Sequence, residues 1–74
     1  MNPPYEMFYD REQDRWAVLF DGQQSYGLHC GEGFNLILGY YYLNCTLEFC
    51  NCWYIITEGV RFNLNEKERY QVIL

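Results

Sequence analysis

Basic residues are scarce in this chain. Five Lys and Arg stand against ten Asp and Glu in 74 residues, leaving a formal net charge of −5. That balance argues against a protein that tracks nucleic-acid phosphates, because such binding rests on neutralising them with Lys and Arg. It also argues against docking on an anionic membrane surface. Direct nucleic-acid binding by exposed aromatics is the weakest of the functional readings. A single His leaves little material for acid–base chemistry at neutral pH. No stretch approaches the roughly 20 apolar residues of a spanning helix. The first ten residues carry two prolines, Glu6 and Asp10, and lack the basic and apolar regions of a secretory signal. These absences predict a cytoplasmic setting with no membrane partner. Helix signals are also few, confined to the short stretches Glu6 to Arg15 and Glu66 to Arg69.

Rings are what the chain has in quantity. Half of it is hydrophobic and 20% is aromatic, with eight Tyr, five Phe and two Trp. Aromatic and β-branched side chains favour pleated surfaces, and 74 residues suffice for one core only. Arg15 to Phe20 alternates, with Trp16, Val18 and Phe20 on one side, and Asp21-Gly22 follows as a turn signal. Tyr26 to Cys30 alternates again, before Gly31-Glu32-Gly33 breaks the run. The first hairpin then has a long connection, Asp21 to Ser25.

The middle of the chain reads as two tight hairpins, with two-residue turns at Gly39-Tyr40 and Cys50-Asn51. Strands then span Phe34 to Leu38, Tyr41 to Phe49 and Cys52 to Thr57. Leu38 opposes Tyr41, Leu36 opposes Leu43 and Phe34 opposes Cys45. Across the second turn, Phe49 opposes Cys52, Leu47 opposes Tyr54 and Cys45 opposes Ile56. The central strand places Tyr41, Leu43, Cys45, Leu47 and Phe49 inward, with Tyr42, Asn44, Thr46 and Glu48 outward. Glu58-Gly59 marks a further turn, Arg61 to Leu64 a short strand, and Tyr70 to Leu74 a last one. The expected fold is all-β: a small antiparallel meander closing into an SH3-like barrel of five to seven short strands. The expected organisation is an N-terminal arm over residues 1–14, either packed on the sheet or free of it, and one domain over residues 15–74.

The run Leu28-His29-Cys30-Gly31, then Phe34, then Leu47-Glu48-Phe49, then Trp53-Tyr54-Ile55, resembles a family of short bacterial proteins known only as a domain of unknown function. The resemblance covers roughly Arg15 to Leu74. It departs at the tight turns, where the family tends to have Asp-Gly and this chain has Gly39-Tyr40 and Cys50-Asn51. It implies a bacterial or phage setting, often on mobile elements, and a small β fold. The family brings no catalytic residue with it.

His29 and Cys30 are sequence neighbours, so in a strand they point to opposite faces and form no nucleophile–base pair. Cys30 is expected in the core and His29 outside it. The four cysteines are separated by fourteen, four and one residues, none of them the C-x-x-C spacing of a zinc knuckle. Free thiols are expected, and Cys50 is the exposed candidate for oxidation. The carboxylates scatter over turns and strand edges as a solvated surface. No enzyme, cofactor or metal is expected.

The second face of the sheet carries the functional expectation. The register above leaves Ile37, Tyr42, Trp53 and Ile55 pointing away from the core, with Trp53 opposite Glu48 and Ile55 opposite Thr46. Such a stripe is covered by the N-terminal segment or binds a partner protein, since Trp and Tyr dominate interface hot spots. The expected function is a small interaction module that binds another protein by this face or by an open sheet edge. The alternative is an acidic phage or mobile-element inhibitor acting by nucleic-acid mimicry.

Overall fold

A computed structural model describes residues 4–20 and 24–74. The part of the Asp21 to Ser25 connection over residues 21–23 lies outside the described residues. The described residues form eight strands: β1 (Tyr5–Asp10), β2 (Arg15–Phe20), β3 (Gln24–Gly27), β4 (Gly33–Leu38), β5 (Tyr41–Cys50), β6 (Cys52–Thr57), β7 (Val60–Asn63) and β8 (Tyr70–Ile73). All pair antiparallel in one sheet of order β3-β2-β1-β8-β4-β5-β6-β7. No described residue is helical.

Two expectations are corrected by this order. The segment expected as an arm contributes a strand, because Tyr5, Met7 and Tyr9 alternate with Glu6, Phe8 and Asp10. Met7 is fully buried, paired with Val18 on one side and Tyr70 on the other. The sheet is also not a meander closed into a barrel. The last strand, β8, inserts between β1 and β4 and joins two local meanders, β1-β2-β3 and β4-β5-β6-β7. The strands β3 and β7 stand at its two edges.

Almost the whole core comes from one face of this sheet. Met7, Trp16, Val18, Leu36, Leu47, Ile55 and Val72 are all 0% exposed, and each lies on the same side of its strand by the ladder pairings. A single sheet buries one face so completely by curling over it. The smallest dimension of the molecule, 20 Å, is that of two sheet layers about 10 Å apart. Trp16 is the largest fully buried side chain among the described residues, its ring 5.6 Å from Tyr9 and 5.7 Å from Tyr70. The indole N–H groups of Trp16 and Trp53 are buried without a hydrogen-bond partner among the described residues. These two rings therefore act through the apolar area they remove from water.

The turns follow from backbone chemistry. Gly39 adopts φ +59° and Tyr40 does not turn positive, as expected of a two-residue hairpin with Gly first. Glu58 and Gly59 are both positive, at +51° and +78°, the pattern of a type I′ turn. At the β1–β2 turn, the Asp10 carboxylate accepts the Glu12 N–H at 3.0 Å, and Asp14 takes a positive φ.

One register differs from the expected one. Cys50 pairs directly with Cys52, leaving only Asn51 between them at φ +66°. Phe49 therefore opposes Trp53, Leu47 opposes Ile55, Glu48 opposes Tyr54 and Thr46 opposes Ile56. A slip of one residue moves every side chain of a strand to the other face. The β4–β5 register, with Phe34 on Cys45, Leu36 on Leu43 and Leu38 on Tyr41, is as expected.

Candidate functional site

The slip in β6 divides the expected aromatic face. Trp53 (8% exposed) and Ile55 (0%) are core residues, while Tyr54 and Ile56 take their places on the outer side. Ile37 and Tyr42 remain outside, directly paired across β4 and β5. They end an outer row that runs Leu19, Glu6, Gln71, Ile37, Tyr42 over five strands.

Among the described residues, the β4–β5 hairpin exposes the most aromatic surface. Tyr40 is 100% exposed, Tyr41 72% and Tyr42 65%. The hairpin extends beyond the core layer: Leu36 opposite Leu43 is its last well-packed pair, and Leu38 opposite Tyr41 is only partly buried. Tyr41 was expected to face inward, and it does, but past the point where anything covers it. Phe49 overhangs the other end of β5 in the same way, half exposed against Trp53. Tyr40 and Tyr41 are thus candidate site residues that strand alternation alone does not find. Their signal is position: a ring beside a tight turn stands beyond the reach of the opposing layer.

The cysteines and the histidine occupy separate places. Cys45 is buried, its thiol donating to the Phe34 carbonyl oxygen at 3.4 Å, and burial pushes this thiol up to about 11. Cys30 is exposed rather than in the core, because Leu28 is the last inward residue before the chain turns. His29 is outside, as expected, with its N–H donating to the Glu32 carboxylate at 2.9 Å and its carbonyl accepting the Glu32 N–H. Cys50 is exposed and Cys52 intermediate. The Arg61 guanidinium donates to Cys52 Sγ at 3.2 Å and to Asn63 Oδ1 at 2.9 Å, and it stacks 3.8 Å from the Tyr54 ring centroid. Among the described residues no three His, Cys, Asp or Glu side chains converge to hold a metal ion.

An open cleft of about 470 Å³ lies between the β1–β2 turn and the β7–β8 loop, walled by Arg11, Trp53, Asn65 and Glu66. Its one guanidinium faces Glu66 at 3.8 Å. At Tyr9 the hydroxyl donates to the Asp14 carboxylate, which pushes the phenol up to about 12. Carboxylates and cations alternate around this end of the molecule, so it presents no field of one sign to a ligand.

These features define a small all-β domain of one curled antiparallel sheet, with an aromatic hairpin protruding from its core. The chain belongs to the family described as domain of unknown function DUF5348, whose model matches residues 5–74. It is also similar to the crystal structure of a protein from Ruminococcus gnavus, a target of the Northeast Structural Genomics Consortium. The two are 29% identical with a TM-score of 0.78, over 97% of this chain and 100% of that one. Among curated proteins none matches the chain.

Proposed function

We propose that this protein is a small protein-interaction module whose contact surface is the β4–β5 hairpin, with Tyr40, Tyr41 and Tyr42 as anchors and Ile37 beside Tyr42. The exposure of three consecutive tyrosines carries this reading. A two-residue turn closes equally well with polar residues beside its Gly, so folding does not account for a fully exposed ring at Tyr40. Binding does. Tyr supplies a large, rigid, amphipathic contact at low cost in side-chain entropy, and it is enriched among hot spots. A reducing cytosol suits four cysteines that all stand unpaired.

The test is capture from a lysate of the source organism with wild-type protein and a Tyr40→Ala/Tyr41→Ala/Tyr42→Ala variant. A protein retained by the wild type and lost from the variant, with the denaturation midpoint unchanged, supports the module. A partner retained equally by both overturns the hairpin as its surface. Salt separates the charge-mimic reading, because exposed charges are screened within about 10 Å at 0.1 M. Binding through the tyrosines persists at moderate salt, whereas mimicry weakens steeply.

A further inference from the structure

The edge strand β7 fits a second copy of this chain. The Leu64 N–H donates to the Trp53 carbonyl oxygen at 3.0 Å. By the alternation of an antiparallel ladder, Leu64, Phe62 and Val60 turn their backbone groups toward β6, while Arg61 and Asn63 turn theirs outward from the edge. Natural edge strands are usually blocked by Lys, Pro or a bulge, and Val60-Arg61-Phe62-Asn63 has none of these. Its one cation does not guard the edge: Arg61 lies back over Tyr54, held by Asn63 and Cys52. Val60 (62% exposed) and Phe62 (40%) leave apolar surface at the rim of the core. At the opposite edge, Arg15 lies across Gly27 of β3.

We infer that two copies pair antiparallel through β7, about a twofold axis at Phe62, making one continuous sheet. The sequence of the edge selects this register. Centred on Phe62, the pairing sets Phe62 against Phe62 of the second copy, Val60 against Leu64 and Arg61 against Asn63. Apolar residues then meet on the inner side and polar ones on the outer. The outward backbone groups of Arg61 and Asn63 fall opposite each other and hydrogen-bond, and Phe62 occupies the closer, non-hydrogen-bonded position. Centring on Arg61 instead would oppose two guanidinium groups, and a centre between residues would oppose Arg61 to Phe62. Five residues a side make an interface below the roughly 1,200 Å² of stable complexes. The dimer is therefore weak and concentration-dependent, and the twofold leaves the two tyrosine hairpins free at opposite ends.

Sedimentation velocity over a concentration series, with edge variants beside wild type, tests this. Wild-type protein passes from monomer to dimer as concentration rises. Asn63→Lys, which sets two like-charge pairs across the axis, raises the dissociation constant by about tenfold. Asn63→Glu lowers it by bringing a carboxylate opposite each Arg61. Loss of the native Asn63–Arg61 contact alone would shift both variants the same way, and that result overturns the inference. In a Cys30→Ser/Cys50→Ser background, Phe62→Cys forms an interchain disulfide with its own copy under mild oxidation, and Val60→Cys does not. Monomer at every concentration overturns the inference. So does a dimer that Phe62→Cys fails to cross-link.

Discussion

Phe49 and Trp53 are cross-strand partners on β5 and β6, their ring centroids 5.0 Å apart and their planes inclined at 59°. The Phe49 ring is half exposed and lies beside an indole that is almost wholly buried. The pair closes the end of the core nearest the Cys50–Cys52 turn.

Trp53→Ala therefore costs about 3 to 5 kcal/mol, the range for removing a buried aromatic ring. Tyr42→Ala, on the outer face, changes stability by less than about 0.5 kcal/mol. Urea denaturation of the two variants checks both values. Equal, small losses would mean that Trp53 stands on the surface.

Polarity decides how much of this arrangement is legible in the sequence. On β5 the outward set contains Asn44, Thr46 and Glu48, so only one face can be buried, and both the expected and observed structures turn Leu43, Cys45 and Leu47 inward. On β6 the run Trp53-Tyr54-Ile55-Ile56 is apolar on both faces. Its orientation then rests on whether one or two residues stand in the turn, which side-chain polarity does not report. Trp53 and Ile55 of the candidate face lie on that undetermined strand, whereas Ile37 and Tyr42 lie on β4 and β5. Strand β8 poses a different problem, since its partners lie some 35 and 65 residues away along the chain, and local turn signals say nothing about a non-local pairing. For β1, the apolar ring of Phe8 on the outer side obscures the period-two pattern that Glu6 and Asp10 otherwise mark.

Val72 tests the joining role of β8. It is 0% exposed, paired with Tyr5 on β1 and Leu36 on β4. Val72→Ala costs about 2 to 3 kcal/mol from lost burial and the cavity it leaves. Both meanders depend on this strand, so their amides lose hydrogen-exchange protection together. Protection retained in β4–β7 while β1–β3 opens would show that the two meanders fold independently.

At the β6–β7 turn, Glu58 holds φ +51° ahead of Gly59 at +78°. A left-handed conformation costs an ordinary side chain about 1 to 2 kcal/mol, and Asn bears it more cheaply than Glu. Glu58→Asn accordingly stabilises the protein by about 0.5 to 1 kcal/mol. The position is exposed, so the gain arises from the backbone alone, and thermal or urea denaturation measures it. A loss of stability would mean that the Glu58 side chain supplies something the turn geometry does not.

Cys45 sets a pH dependence whose sign follows from burial. Taking the thiol out of water disfavours its thiolate and raises it from an ordinary value of 9.0 to about 11. The unfolded chain loses this proton first, so above pH 9 the unfolded state binds fewer protons and stability falls. The contribution is fully present below pH 9 and is lost as pH rises through about 11. Tyr26, which burial also raises, and Tyr9 add to the decline in the same direction. The portion due to Cys45 is isolated by comparing the urea midpoint of wild type and Cys45→Ala from pH 8 to 11. The variant is less stable at pH 8, having lost a buried sulfur, but its midpoint falls less steeply as the pH rises. Parallel curves would mean that this thiol ionises as readily in the folded protein as in the unfolded chain.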